Sequence, residues 1–327
     1  MVARSVALAT LRLLAPPLAP TSYKGSSGKV GVLGGCFEYT GAPFYAALSA
    51  LKLGADLSHV FCDEQAAVPI KSYSPELIVH GCLRSVDNVD ADEIKRQADE
   101  VIKWFPALTA LVIGPGLGRD ETMQAVAAQV VQRAVESSLP MVIDADGLRV
   151  VLDNPDLVRG AKWVVLTPNR PEYGRMLDAE GAASADDPNG ERVPSMAQSM
   201  GGLTIVRKGP TDVISDGTLT LECDEPGCLK RCGGQGDVLA GSIATLLGWA
   251  KAAEKAKRLP EGESPPLLAA FAGCLLTRRF AASAFAKHKR SMTAPDLIDS
   301  IGETFEAFSP ADEIRGPGEN SKPSYVT

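Results

Sequence analysis

The sequence predicts an α/β fold: a central, mostly parallel sheet with helices on both faces. Two patterns carry that expectation. Continuous apolar runs such as Ala110–Ile113 (ALVI), Met141–Ile143 (MVI) and residues 163–166 (WVVL) have the character of strands buried on both faces. Longer helical stretches separate these runs, so strand and helix alternate as in βαβ units. With 327 residues and 45% hydrophobic content, the chain can bury a sizeable core. An α/β fold of this length often forms one domain.

In order, strands are expected at residues 30–33, 57–62, 77–80, 110–113, 141–143, 163–166 and 203–207. Residues 213–215 and 219–222 suit a hairpin across Asp216-Gly217. Helices are expected at 43–53, 91–105, 121–136, 238–250 and 267–285. The polar stretch 182–193 reads as a surface insertion, and the charged, proline-containing stretch 254–266 as a second loop. Neither a tandem repeat nor a clean linker is visible. One catalytic domain is expected over residues 24–309, with 1–23 and 310–327 outside it as a presequence or disordered extension and a disordered tail.

Composition narrows the function. Formal net charge is −7, from 33 Lys and Arg against 40 Asp and Glu. Nucleic-acid binding is therefore not expected, because it needs clustered cations to displace counterions. A phosphate-bearing small ligand remains compatible, since backbone N–H groups can hold it without net positive charge. The seven cysteines contain no CxxC pair, and Cys228 and Cys232 have no His nearby, so reduced thiols are expected rather than zinc or disulfides. No apolar run approaches the roughly 20 residues of a membrane helix. The N-terminus carries Arg4, Arg12, Lys24 and Lys29 before the first acidic residue, Glu38. That pattern suits a mitochondrial or plastid presequence, with mitochondrion the expected destination and cytoplasm a second one.

The chemistry-bearing residues follow strands, where open α/β sheets bind ligands. They are Gly34-Gly35, Gly114-Pro115-Gly116-Leu117-Gly118, Asp144-Ala145-Asp146-Gly147, Asn169-Arg170-Pro171-Glu172 and Lys208-Gly209. GPGLG is not GxGxxG, and no GxxxxGK[ST] is present, so neither a dinucleotide fingerprint nor a P-loop is supported. The nucleotide device is instead Gly233-Gly234-Gln235-Gly236-Asp237 before an apolar helix. Its glycines let backbone N–H groups converge at a positive helix terminus, forming an anion hole. Asp237 can cap that helix or act as a base beside a transferring phosphate. The Asn169–Glu172 turn can be a helix start, a ligand set, or both. Asp144 and Asp146 suit metal ligation or turn hydrogen bonds equally. His59, His80 and His288 match no triad spacing.

GGQGD with its following helix resembles the anion hole of ribokinase-like kinases, and Asn169-x-x-Glu172 looks like the NxxE element of that superfamily. A narrower resemblance rests on KGSSGKVGVLGGCFEYTGAPFYAALSALKLGADLSHVFC, YSPELIVH, LVIGPGLGRD, VIDADGL, LTPNRPEYGRM and RCGGQGDVLAGS. Over residues 24–308 these resemble the eukaryotic ATP-dependent NAD(P)H-hydrate dehydratases. Tyr23, where that family leads one to expect His, and Pro171 are departures.

The resemblance implies a ribokinase-like fold. It also implies dehydration of the S epimer of hydrated NADH or NADPH, with release of NAD(P)H, ADP and phosphate. A sugar or vitamin kinase of the same superfamily is the alternative. By position, Gly118 and the run Asn169, Arg170, Pro171, Glu172, Tyr173, Gly174 and Arg175 match segments that contact the hydrate. Lys208, Gly209, Pro210, Thr211 and Asp212 match one ATP-binding segment. Gly227, Cys228, Leu229, Lys230, Arg231, Cys232, Gly233, Gly234, Gln235 and Gly236 match the other. Asp237 matches a residue that contacts and activates the hydrate, and is the expected catalytic group. Mg²⁺ is expected with ATP; its protein ligands stay unassigned, with Asn169 and Glu172 as candidates. An NAD(P)HX epimerase is the implied functional partner. No membrane partner is expected, and a homo-oligomer is left open.

Overall fold

The structure, a computed structural model, describes residue 9 and residues 11–85, 90–181, 187–260 and 262–309. The strands are β1 Lys29–Leu33, β2 Leu57–Asp63, β3 Ile78–Leu83, β4 Ala110–Ile113, β5 Met141–Ile143, β6 Val164–Leu166, β7 Thr204–Arg207, β8 Asp212–Ser215 and β9 Thr220–Cys223. They form one sheet in the order β3-β2-β1-β4-β5-β6-β7-β8-β9. All pairs from β3 to β7 are parallel, and β8 and β9 are antiparallel. The expected hairpin is present, with Ser215 opposite Thr220. Its turn is built by Gly217 at φ +83° and by Asp216 Oδ1, which accepts the Thr218 and Leu219 amides.

The helices are α1 Gly41–Leu53, α2 Glu64–Tyr73, α3 Ala91–Ile102, α4 Glu121–Glu136, α5 Gly147–Asp153, α6 Arg170–Ala179 and α7 Val193–Ser199, then α8 Gln235–Lys255, α9 Pro265–His288, α10 Ala294–Asp299 and α11 Ile301–Glu306. They cover both faces of the sheet, and strand side chains alternate between two cores. Val32, Val112, Val142 and Val165 face one core with α1, α8 and α9. Leu33, Ile113, Ile143 and Leu166 face the other with α3, α4 and α6. Apolar residues on both faces explain why the central strands read as unbroken runs.

Several elements differ from the sequence expectation. Helix α2 was not anticipated, because Pro69 interrupts its pattern. Asp63 Oδ1 caps it by accepting the Gln65 amide, and Ala66, Ala67 and Ile70 are buried. Burial here outweighs the backbone hydrogen bond that an internal proline removes. The short helices α5, α7, α10 and α11 were also unforeseen; each has only six or seven residues, too few for a clear 3.6-residue period. Both α8 and α9 run longer than expected and shorten the loop between them. By length and composition, the α9 region could cross a membrane, contrary to the sequence reading. However, 78% of that window is buried inside the protein, as befits a core helix. The expected tail after residue 310 lies outside the described residues.

Two further placements stand out. Pairing of β2 with β3 brings His59 and His80 together, Nδ1 to Nε2 at 3.0 Å, stacked with Phe61 and beneath Trp104. Burial pushes the His59 pKa down to about 4 and lowers that of His80. This neutral pair is a packing feature at the far side of the sheet from β7. At the N-terminus, Leu11, Leu14 and Ala15 pack into the same core as α8 and α9. Arg258 Nη1 donates to the Leu13 carbonyl at 3.0 Å. The packed chain thus begins on the N-terminal side of residue 24.

Candidate active site

The turns after β4, β5, β6 and β7 meet the N-terminus of α8 at one end of the sheet. Close approach forces glycine at the first turn: a Cβ on Gly114 would lie 1.9 Å from the Asp144 carbonyl oxygen. The Gly118 amide donates to Asp146 Oδ2 at 3.0 Å. Gln124 Nε2 clamps both turns, donating to the Gly118 carbonyl at 2.7 Å and the Asp146 carbonyl at 3.3 Å. Asp146 is therefore a turn organiser. Asp144 is nearly buried, and its Oδ1 accepts from Lys208 Nζ at 2.7 Å. Lys208 Nζ is also 4.0 Å from Glu172 Oε2.

Asn169 and Glu172 form a capping box at the start of α6. The Asn169 amide donates to Glu172 Oε2 at 2.7 Å, and the Glu172 amide to Asn169 Oδ1 at 2.9 Å. Burial raises the Glu172 pKa, with Lys208 opposing. Burial also disfavours the Lys208 ammonium, but Asp144, Glu172 and Asp237 together carry its pKa above the usual value.

The α8 terminus corrects one sequence reading. Gly234, at φ +93°, is the N-cap, and a Cβ there would collide with Ala294 and Tyr45. Asp237 lies inside the first turn and does not cap the helix. Its carboxyl pKa is raised to about 7, first by burial and then by Asp144, with Lys208 opposing. Asp237 thus feels the charges of Asp144, Lys208 and Asp146, the last of which holds Gly118.

Beside this group opens a cavity of about 860 Å³, of the size used for small ligands. Among the residues singled out in the sequence, it gathers Asn169, Lys208, Gly209, Pro210, Asp212, Gly227, Cys228, Leu229, Arg231, Gln235 and Gly236. Thr211, Lys230, Cys232, Gly233 and Gly234 belong to the same two loops. Gly118 sits elsewhere, against Cys36. Arg170, Pro171 and Arg175 are exposed and Gly174 is half-buried. Tyr173 is a correction to the expected contact run. It is 1% exposed in the core under α6, with its hydroxyl donating to Asp187 Oδ2 at 3.4 Å.

Sequence reasoning missed Arg278. From α9 its Nε donates to Asp212 Oδ2 at 2.7 Å, Nη2 to the Gly209 carbonyl at 2.8 Å and Nη1 to the Glu225 carbonyl at 3.1 Å. Asp212 Oδ1 accepts the Gly209 amide at 2.9 Å. One guanidinium thus shapes both cavity loops. The only hint in the sequence was an Arg pair inside an apolar helix.

The family assignment comes from comparison with known proteins. The NAD(P)H-hydrate dehydratase family profile matches residues 30–303. The chain belongs to this family. A human relative, an ATP-dependent (S)-NAD(P)H-hydrate dehydratase, is 47% identical over 300 residues, spanning 91% of this chain and 83% of its own. A grapevine (Vitis vinifera) relative of the same name is 43% identical, over 92% and 87%. Among solved structures, a Streptococcus mutans protein superposes with a TM-score of 0.72, at 21% identity over 92% of this chain and 98% of its own. The Bacillus subtilis ADP/ATP-dependent NAD(P)H-hydrate dehydratase, co-crystallized with ATP and Mg²⁺, gives 0.65 at 20% identity, over 92% and 97%. The fold is ribokinase-like, as expected.

In this member of the dehydratase family, Glu172 and Asp144 offer hard carboxylate oxygens to a divalent cation. One or two carboxylates are the usual protein share of a Mg²⁺ site completed by phosphates and water. Among the described residues, no group of three or more His, Cys, Asp or Glu side chains forms a metal centre. Two carboxylates at this place fit a cation whose other ligands are phosphate and water.

Proposed function

We propose that the chain is an ATP-dependent (S)-NAD(P)H-hydrate dehydratase, a repair enzyme that returns hydrated NADH and NADPH to use. The observation that carries this reading is the placement of Asp237. Its carboxyl is raised to about 7 and lies beside Lys208 and Gly236, at the cavity end of α8.

ATP would occupy the cavity between the Lys208–Asp212 loop and the Gly227–Gly236 loop. Its γ-phosphate would meet the backbone N–H groups at the start of α8, where the helix terminus favours anions. Mg²⁺, held by the phosphates with Glu172 or Asp144, would neutralise phosphoryl charge. The hydrate would lie toward Gly118 and the Asn169 turn. Asp237 would take the proton of the C6 hydroxyl as its oxygen attacks the γ-phosphorus and ADP leaves. The ring nitrogen lone pair would then expel phosphate, and loss of a C5 proton would restore the dihydropyridine. Positioning and charge stabilisation do most of this work.

Purified protein with ATP, Mg²⁺ and an NADHX epimer mixture is expected to restore reduced-nicotinamide absorbance. ADP and free phosphate should appear in equal amounts. In-line transfer requires the hydroxyl on the face presented to the γ-phosphate, so the R epimer should persist and call for an epimerase as functional partner. A stable phosphoester product would mean a kinase instead, and equal initial rates for both epimers would refute this substrate geometry.

The acid-free, Arg-containing N-terminus motivates a proposal of mitochondrial import. Residues 1–29 fused to a fluorescent protein should direct it to mitochondria. Uniform cytosolic fluorescence, or secretion, would count against the proposal.

A further inference from the structure

We propose that Cys228 and Cys232 form a peroxide-sensitive dithiol that gates the nucleotide cavity. Both thiols sit on the loop that lines the cavity before α8. Gln235 Nε2 lies 3.3 Å from Cys232 Sγ and 3.8 Å from Cys228 Sγ, so the sulfurs can be no farther apart than those two contacts laid end to end. The same Nε2 donates to the Lys230 carbonyl at 3.0 Å, and the Cys228 thiol donates to that carbonyl at 3.1 Å. One side-chain amide therefore holds the two thiols and the loop between them.

The other cysteines are less suited. Burial pushes the Cys62 and Cys82 thiols up to about 12 and Cys223 up to about 11, raises Cys274 well above its usual value, and raises Cys36. Thiols so disposed rarely form the reactive thiolate. Cys228 and Cys232 are half-buried and flank exposed Arg231. There is also open space beside them: Gly233 has nothing within 4 Å of where a Cβ would stand.

The chemistry balances with hydrogen peroxide as the oxidant. One thiolate attacks a peroxide oxygen, giving a sulfenic acid and, with a proton, water. The second thiol attacks the sulfenic sulfur, forming the S–S bond and releasing a second water. Two sulfurs together lose two electrons, and peroxide gains two. The cross-link draws Cys228 toward Cys232 and breaks the shared contacts of Gln235, the first residue of α8. Gly236 and Asp237 follow in the same turn, so the anion hole moves with the loop. Reduction by a dithiol reverses the change.

The proposal rests on the ATP-site reading, and the test separates the two. The fully reduced chain is first assayed for ATP-dependent dehydration; failure there removes the ATP-site reading. Peroxide is then added in excess, and tryptic peptides are mapped. Trypsin cuts after Lys230 and Arg231, between the two cysteines, so the disulfide joins two separate peptides. Linked peptides are expected, with turnover reduced about a hundredfold, the scale of loss when groups around the reacting atoms shift by about an ångström. Dithiothreitol should remove the linkage and restore the rate. Cys228→Ser and Cys232→Ser, each compared with its own reduced rate, should keep that rate under peroxide. The proposal is overturned by the absence of the linkage, by a linked chain with unchanged rate, or by equal fractional loss in the Ser variants.

Discussion

Asp237→Asn is expected to lower kcat by about 10²–10⁴, the usual worth of a general base. ATP affinity should change little, because the α8 backbone and the Lys208 loop remain. Gly234 supplies the N-cap, so neither Asp237→Asn nor Asp237→Ala should show a capping loss of about 0.5–2 kcal/mol. Activity should also follow the Asp237 carboxyl. With its pKa raised to about 7, the base form dominates above that pH, and kcat/KM should fall about tenfold per pH unit below it. Stability should run the other way. The folded carboxyl holds its proton more tightly than the unfolded one, at 3.8. This contribution is therefore present at low pH and lost as pH rises from about 4 to about 7. Asp237→Asn should remove that slope and melt no lower than wild type at alkaline pH. Retention of more than about a tenth of wild-type turnover by Asp237→Asn, less than the smallest loss expected of a base, would falsify the assignment.

Lys208→Met should damage both fold and function. It leaves the Asp144 carboxylate, 3% exposed at its side chain, without its 2.7 Å partner. Removing one member of a buried pair costs about 3–5 kcal/mol. The lower end is expected here, because the Lys208 side chain is 20% exposed. Asp144→Asn combined with Lys208→Met should recover most of the lost stability, since the stranded charge is gone. Turnover should not recover, because the Lys208 ammonium is missing from the proposed ATP site. Chemical denaturation and turnover measured on both variants separate the roles. Equal stability of the single and double variants would show that the pair is not coupled.

The strand-end turns were legible in the sequence because glycine and acidic residues followed apolar runs short enough to be strands only. The hairpin was legible because Asp216-Gly217 is turn chemistry. The cap of α8 was misplaced because Asp is a common N-cap, while the demand for glycine at 234 comes from Ala294 and Tyr45 packing against it. Tyr173 shares a motif with Asn169 and Glu172, but a helix turns it into the core one residue later. The contacts of Arg278 and the Asp144–Lys208 pair were not legible, because the partners lie 53 or more residues apart and meet only through the fold.

Leu11 and Leu14 have a consequence for how the chain is made. Arg258, which holds their segment in place, lies 245 residues downstream of Leu13. At roughly 5–20 residues per second, a ribosome needs about 10–50 s to synthesise that interval. For most of it, the two leucines have left the ribosome but have no completed α8 to pack against. For that time a chaperone can take hold of them, and after it the finished fold has sealed them away.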